Sequence, residues 1–278
     1  MAPTRLLISR IAVLAAFVLA GCSKSQPITA PNPVGAGLQN SSVSSARGEI
    51  SRPAGLQGHQ FVPRSDNPYF PLVPGTTFFY RSRTPDGIET EKFTVTRRTK
   101  KIQGVNVIVV EDVVRLNGVV TERTTDWFAM DEHGNVWYFG ENSLKIDPDT
   151  GETSTAGSWM AGVDGAEAGI IMEAHPRVGD TYDEENAPGA AQDRAQVLAL
   201  DAEAKVPRGR FDDCLQTENT TLLDPAALEN KFYAPGVGLV LEIDVAGGGT
   251  RNQLVRVTRS DRGHDDGDED RASGGGRD

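Results

Sequence analysis

The residue with the clearest chemical role is Cys22, which follows a short apolar segment near the amino terminus. Arg5 and Arg10 precede that segment, and its apolar run over residues 11–20 is too short to cross a bilayer with a hydrocarbon core of about 30 Å. The two residues before Cys22 are small, so a peptidase can approach the backbone. Residues 1–21 are therefore predicted to be a cleaved signal peptide, after which the Cys22 thiol can carry a diacylglycerol through a thioether.

The sequence Leu19-Ala20-Gly21-Cys22 closely resembles the lipobox of bacterial lipoproteins. The resemblance implies acyl chains such as palmitate on Cys22, and membrane attachment in the bacterial cell envelope. Two or three chains give a stable anchor, whereas one chain gives only marginal binding. Ser23 in place of an aspartate favours the outer membrane or the cell surface if the cell has two membranes. The alternative is an ordinary secretory signal with an incidental cysteine.

Acid and base chemistry could come from a group of carboxylates, because two nearby carboxylates can act as general acid and general base. Because the domain as a whole is acidic, the preferred interpretation of these carboxylates is solvated charge at the ends of strands. The group lies between residues 180 and 193 and consists of Asp180, Asp183, Glu184, Glu185 and Asp193.

Other catalytic sets are not evident in the sequence. It contains no Gly-x-Ser-x-Gly elbow, Walker loop, His-Glu-x-x-His or Cys-x-x-Cys motif. His175 is the one histidine expected inside the domain, in a solvated loop, because His59 is assigned to a tether, His133 to a turn and His264 to the tail. We therefore assign no catalytic residue, expect no metal site and no cofactor, and favour a protein that is not an enzyme.

Large aromatic side chains concentrate in one predicted hairpin and a neighbouring loop. Both faces of this hairpin carry rings, and a second aromatic face either packs between layers or lines a groove. Core packing is the simpler interpretation. The functional interpretation is a concave surface for an apolar or carbohydrate ligand, formed by Trp127, Trp137, Tyr138 and Trp159.

The formal net charge of the chain is -11 at pH 7. The charges of the two terminal segments cancel, so this excess belongs to the segment between them. An acidic domain repels phosphate backbones and anionic head groups. We therefore expect no nucleic-acid partner and no electrostatic membrane docking, and the protein or small-molecule partner stays unidentified.

Composition divides the chain into four parts. After the signal peptide, residues 22–60 are rich in Ser, Pro, Gly and Gln and are predicted to form a lipidated flexible tether. Residues 61–260 are long enough for a single β-rich domain with its own core. Residues 261–278 are predicted to be a disordered acidic tail.

Within the domain the apolar period is two, with glycine and proline between the apolar runs, which indicates many antiparallel strands. Turns at residues 84–87, 117–118 and 131–135 predict a meander. Residues 157–176 are expected to form a long loop, in which residues 170–172 could form a short strand, and Asp224-Pro225 predicts a short helix over residues 226–230. About a dozen strands must curl or split, which predicts an open barrel or curved half-barrel, with a β-sandwich as the alternative.

Three passages together resemble an uncharacterised family of secreted bacterial proteins and lipoproteins: residues 67–75 (NPYFPLVPG), 134–140 (GNVWYFG) and 233–240 (YAPGVGLV). The resemblance implies no activity and no catalytic residues. A more distant likeness, at the level of the fold, is to lipoprotein carriers with a curved antiparallel sheet. This chain lacks the long amphipathic helices of those carriers, so a large lipid cavity is not expected.

These observations predict a membrane-anchored envelope protein that acts as a non-catalytic binding or interaction module. The alternative is an envelope hydrolase that uses the carboxylates of residues 180–193.

Overall fold

The computed structural model describes residues 56, 58–246 and 248–260. Cys22, the predicted signal peptide and the acidic tail lie outside these residues, as does almost all of the predicted tether. The described part consists of strands and their connections and contains no α-helix, and none of its segments is a helix that could cross a membrane.

The strands belong to one antiparallel sheet. In chain order they are β1 (Phe61–Val62), β2 (Thr76–Thr84), β3 (Gly87–Ile102), β4 (Val105–Leu116), β5 (Val119–Asp131), β6 (Val136–Ile146), β7 (Thr153–Ser154), β8 (Trp159–Met160), β9 (Glu167–Met172), β10 (Thr181–Asp183), β11 (Glu185–Asn186), β12 (Asp193–Val206), β13 (Gly209–Thr221), β14 (Leu228–Ala234), β15 (Gly238–Asp244) and β16 (Arg251–Arg259).

The sheet curls into a nearly closed barrel with one seam, so the predicted open barrel is confirmed. The strand order is β10-β12-β13-β14-β15-β16-β2-β3-β4-β5-β6-β9-β11, while β1 pairs with β5, and both β7 and β8 pair with β6. A sheet of this breadth twists too strongly to stay flat. Closure removes nearly all of the exposed edge that an open sheet would leave.

The seam is spanned by one short segment, residues 181–186. Its first half, β10, pairs with β12, and its second half, β11, pairs with β9. Between the halves, the Glu184 amide donates a hydrogen bond of 2.7 Å to the Asp193 carbonyl. The segment lies so close to Gly169 that a Cβ atom there would collide with the Glu184 carbonyl.

The predicted meander is present as β2 to β6. The β4–β5 turn has Asn117 and Gly118 at φ values of 50° and 89°, the left-handed pair that a tight hairpin with the strand twist requires. The strands are longer than expected, because pairing continues through β-bulges in β3–β4 and β5–β6.

The predicted helix over residues 226–230 is wrong, because β14 begins at Leu228. Asp224 Oδ1 accepts a hydrogen bond of 3.1 Å from the Ala226 amide, and the Asp224 carbonyl accepts one of 2.9 Å from Ala227. An Asp-Pro pair can begin a single turn as well as a helix. The backbone of Lys231 then pairs with β13 on one side and with β15 on the other, which holds this part of the chain in an extended conformation.

Two other segments differ from the sequence expectation. Residues 157–176 contain β9, which includes the short strand expected over residues 170–172, and also β8, which was not expected; both extend the sheet beyond β6. Leu56, expected in the tether, is buried in the hydrophobic core.

The three passages that carry the family resemblance meet at one end of the barrel. Asn67 is buried, and its Nδ2 donates hydrogen bonds to the carbonyls of Gly134 (3.0 Å) and Glu173 (2.9 Å). The Gly236 amide donates one of 2.7 Å to the Pro68 carbonyl. Residues 67–75 therefore form a covering segment held to both of the other passages, and its Phe70 side chain is buried.

Candidate functional site

Two of the four predicted aromatic residues, Tyr138 and Trp159, meet inside the barrel. Tyr138 is 1% exposed and stacks on Phe128 with ring centroids 4.6 Å apart. The Trp159 ring stands edge-on to Tyr138 at 5.4 Å, and its Nε1 donates a hydrogen bond of 3.2 Å to Glu185 Oε1. Both rings are packed and hydrogen-bonded, so they fill the core rather than line an open groove.

Trp127 and Trp137 lie elsewhere. Successive residues of a strand point to opposite faces, which separates Trp127 from Phe128 and Trp137 from Tyr138. Lys100 Nζ sits 3.5 Å from the centroid of the Trp127 ring. Trp137 is half-buried, and its Nε1 donates a hydrogen bond to Asp131 Oδ2. The four aromatic residues therefore do not form one surface, and ligand binding by any of them stays a prediction.

The interior of the barrel is unusually rich in carboxylates, among them three of the residue 180–193 group that the sequence interpretation placed in solvent. Strands on every side of the barrel contribute at least one of them. These interior carboxylates are Glu89, Glu91, Asp112, Glu122, Asp126, Glu141, Glu184, Glu185, Asp193, Glu229 and Glu242, and all are buried.

A bulge in β6 brings two of these carboxylates to one hydroxyl group. The register of β5 and β6 shifts at Gly140, whose φ of 123° favours glycine, so Tyr138 and Glu141 face the same side although they are three residues apart. The Tyr138 hydroxyl lies 2.7 Å from Asp126 Oδ1 and 3.2 Å from Glu141 Oε2. A Cβ atom at residue 140 would collide with the Trp159 carbonyl.

Burial makes several of the interior carboxylates unusually weak acids. Burial raises the pKa of Asp126 to about 7, against the opposing hydrogen bond from Tyr138. It raises that of Asp112 well above its ordinary value, with Glu91 and Asp126 adding to the effect. It also raises the pKa of Glu185. Asp112 Oδ1, Asp126 Oδ2 and Glu185 Oε2 are buried and have no hydrogen-bond partner.

One cation, Lys231, lies among these groups. Burial alone would lower its pKa, but Glu184, Glu229 and Glu242 together raise it well above the ordinary value. Among the described residues it is the one buried lysine. It separates a narrow apolar crevice beside Tyr233 from a polar cleft beside Asp193, each with room for one or a few water molecules.

The carboxylates of residues 180–193 divide into two groups. Glu184, Glu185 and Asp193 are buried at the seam, where burial raises the pKa of Asp193 to about 8. Asp180 accepts a hydrogen bond from the Arg177 amide, and Asp183 is exposed and pairs with an arginine of β12.

The exposed loop position of His175 agrees with the expectation for it.

The described residues also form an open apolar cleft with a volume of about 250 Å³. Phe78, Phe211 and Val257 line it, and two exposed arginines, Arg208 and Arg259, lie at its edge. No carboxylate is among the described residues that line it. The sequence interpretation missed this cleft because its residues come from β2, β13, β16 and three connections between strands.

The β12–β13 hairpin forms one wall of this cleft. Its tip bends over the barrel, and the Arg208 amide donates a hydrogen bond of 3.1 Å to the Leu254 carbonyl of β16. The covering segment contributes Pro71, and the β14–β15 turn contributes Val237. Both residues, with Phe78, also line the narrow crevice beside Tyr233, so the two spaces adjoin.

No protein-family model and no curated protein matches this chain. Two solved structures are similar to it. A "putative exported protein with YmcC-like fold" from Bacteroides fragilis is 12% identical, with 69% of this chain and 99% of that chain covered at a TM-score of 0.41. A "putative lipoprotein" from Parabacteroides distasonis is 11% identical, with 68% and 97% covered at a TM-score of 0.37. These descriptions apply to those proteins.

Proposed function

We propose that this chain is a lipid-anchored envelope protein whose domain binds, without catalysis, an apolar ligand with an anionic end. The apolar cleft edged by Arg208 and Arg259 is the observation that supports the ligand class. The anchor rests on the sequence around Cys22, which lies outside the described residues.

The apolar part of the ligand would contact Phe78, Phe211 and Val257. Each methylene group removed from water contributes about 0.8 kcal/mol, so eight of them would contribute about 6 kcal/mol before the cost of association. The cleft is near the small end of the range for ligand sites, which suits a single acyl chain better than a complete lipid.

The anionic end would lie between Arg208 and Arg259. Guanidinium groups bind carboxylates and phosphates through paired hydrogen bonds, each worth roughly 1.5–3 kcal/mol. In a chain with a net charge of -11, two arginines beside an apolar cleft without carboxylates favour an anion there.

Binding of laurate and of 1-dodecanol to the Cys22→Ser chain tests this proposal, since this chain cannot be acylated and needs no detergent. Laurate should bind, and the double variant Arg208→Gln/Arg259→Gln should weaken laurate at least tenfold while dodecanol binding is unchanged. Arg194→Gln, an exposed arginine of β12 that pairs with Asp183, is the matched control. The ligand class is refuted if calorimetry detects no laurate binding, or if both arginine variants behave alike.

The anchor has its own test. Metabolic labelling with palmitate should mark the wild-type chain and leave Cys22→Ser unlabelled, and only the wild-type chain should fractionate with membranes. In a cell with two membranes we propose the outer membrane or the cell surface, which density-gradient separation and surface proteolysis would distinguish. Membrane fractionation of Cys22→Ser would contradict the anchor.

An envelope hydrolase is the second candidate, and the meeting of Glu184, Glu185 and Asp193 at the seam favours it. A carboxyl group with a pKa of about 8, as for Asp193, is a proton donor at neutral pH. We rank it second because the cleft there holds about one water molecule. Loss of a measured hydrolysis in Asp193→Asn, with the domain folded, would reverse the ranking.

A further inference from the structure

Two histidines from distant parts of the chain meet beside a glutamate at the β5–β6 turn. His59 lies just before β1, while Glu132 and His133 follow the end of β5. Glu132 Oε1 is 3.8 Å from His59 Nδ1 and 3.5 Å from His133 Nε2. One ligand atom from each residue lies within 4.8 Å of the other two.

These separations suit a tetrahedral transition-metal ion. Zinc binds imidazole nitrogen at about 2.0–2.1 Å and carboxylate oxygen at about 2.0–2.2 Å, so neighbouring ligand atoms lie about 3.4 Å apart. The two histidine–glutamate separations of 3.8 Å and 3.5 Å are close to this value, and the two histidine nitrogens lie within 4.8 Å of each other. Glu132 and His133 have exposed side chains that can move to close the difference. Two nitrogen donors and one oxygen donor suit zinc better than calcium or magnesium, which prefer oxygen alone.

The surroundings already orient the three groups. The Gln60 amide donates a hydrogen bond of 2.6 Å to Glu132 Oε2, which leaves Oε1 facing the histidines. The His59 ring packs against Trp137 at 5.5 Å and against Phe61 at 5.9 Å. Partners of this kind fix ligand orientation in metal sites.

Asp131 fixes the turn that carries the other two ligands. Its carboxylate accepts hydrogen bonds of 2.9 Å from the amides of His133 and Asn135 and from the side chains of Asn135 and Trp137. Its Oδ2 is 3.6 Å from His59 Nδ1, so it adds negative charge beside the site.

We propose that His59 Nδ1, Glu132 Oε1 and His133 Nε2 bind a divalent transition-metal ion, best matched by zinc, with water in the fourth position. Residues 22–60 connect Cys22 to β1, so the ion would fasten the end of this connection to the β5–β6 turn.

Zinc titration of the full chain, made without a histidine tag, tests the site. Calorimetry and elemental analysis should find one ion per chain at this site, and both His133→Ala and Glu132→Gln should weaken binding at least tenfold. His175→Ala, an exposed loop histidine, is the matched control. His264→Ala tests the acidic tail, and neither control should change the affinity. Cobalt should give the intense visible absorption of tetrahedral coordination in the wild-type chain and not in His133→Ala.

The site is refuted if His133→Ala and Glu132→Gln bind zinc as tightly as the wild-type chain, or if binding is lost in His264→Ala instead. The fastening role has a separate measurement. Zinc should slow hydrogen exchange of the Gln60 and Phe61 amides at least tenfold in the wild-type chain and leave His133→Ala unaffected. Unchanged exchange at saturating zinc would refute the fastening role.

Discussion

Replacing Asp126 by Asn should make the domain more stable at pH 8 and should have a smaller stabilising effect at pH 5. Asp126 is buried, and burial raises the pKa of its carboxyl group from 3.8 to about 7. Between pH 3.8 and about pH 7, the folded chain therefore holds a proton on Asp126 that the unfolded chain has already released. Stability falls as the pH rises from 3.8 towards 7 and is level above that, because both states are then ionised.

The size of this effect follows from the width of the pH window. Each pKa unit corresponds to 1.36 kcal/mol, so a rise from 3.8 to about 7 amounts to roughly 4 kcal/mol at pH 8. Entry of water and relaxation of the protein around an ionised group reduce such penalties. We therefore expect Asp126→Asn to gain on the order of 2 kcal/mol at pH 8. The Asn side-chain oxygen can still accept the Tyr138 hydrogen bond.

Urea unfolding at pH 5 and pH 8 measures both quantities. Asp183→Asn is the matched control, since Asp183 is an exposed carboxylate of the same acidic chain and pairs with Arg194 at the surface. Its effect should stay within about 1 kcal/mol at either pH. The reasoning is refuted if Asp126→Asn is less stable than the wild-type chain at pH 8, or if its stability changes with pH as steeply as that of the wild-type chain.

Three further substitutions test the packing of the barrel. Gly140→Ala should lower the free energy of unfolding in urea by at least 2–3 kcal/mol, because residue 140 has a left-handed φ and a Cβ atom there would collide with the Trp159 carbonyl. An unchanged urea midpoint would contradict the bulge. Lys231→Met should lower the free energy of unfolding by about 3–5 kcal/mol at pH 8, and by less at pH 5, where Glu184 can take a proton in place of the lost cation. Equal losses at both pH values would argue against a charged lysine. Asn67→Ala removes a buried side-chain amide that donates two hydrogen bonds and accepts two, so thermal unfolding should show a loss of stability of about 2–4 kcal/mol. A loss below 0.5 kcal/mol would mean that the covering segment is held by its apolar side chains alone.

The strand pattern predicted the barrel because local turn chemistry decides most of it. Asn117-Gly118 has the left-handed dihedrals that its sequence demands, and the meander around it follows. The short helix failed for the opposite reason. Asp224-Pro225 specifies how a turn begins, but the pairing of Lys231 with two neighbouring strands specifies what comes after it.

The interior carboxylates had a signal in the sequence that composition alone obscures. In β3, Glu89 and Glu91 alternate in phase with Phe93 and Val95, which are buried. A charged residue on the apolar face of a strand lies in the core with its neighbours, whatever the net charge of the domain. The same phase relation joins Asp126 to Phe128 in β5.

The cluster of His59, Glu132 and His133 and the arginine-edged cleft had no such signal. His59 follows a segment without apolar periodicity, so its contact with His133 depends on how β1 joins β5. Arg208 and Arg259 come together only because the β12–β13 hairpin bends over β16. Neither contact is encoded by residues that are close in sequence.

The short segment at the seam gives the barrel an unequal resistance to local opening. Strands such as β3 and β4 share long ladders, whereas residues 181–186 hold each of their two neighbours through three or two residue pairs. Detachment of this segment alone would admit water to Glu185 and Asp193 while every other ladder stays intact. Proton uptake and release by the interior would then proceed at the rate of that opening, well before global unfolding.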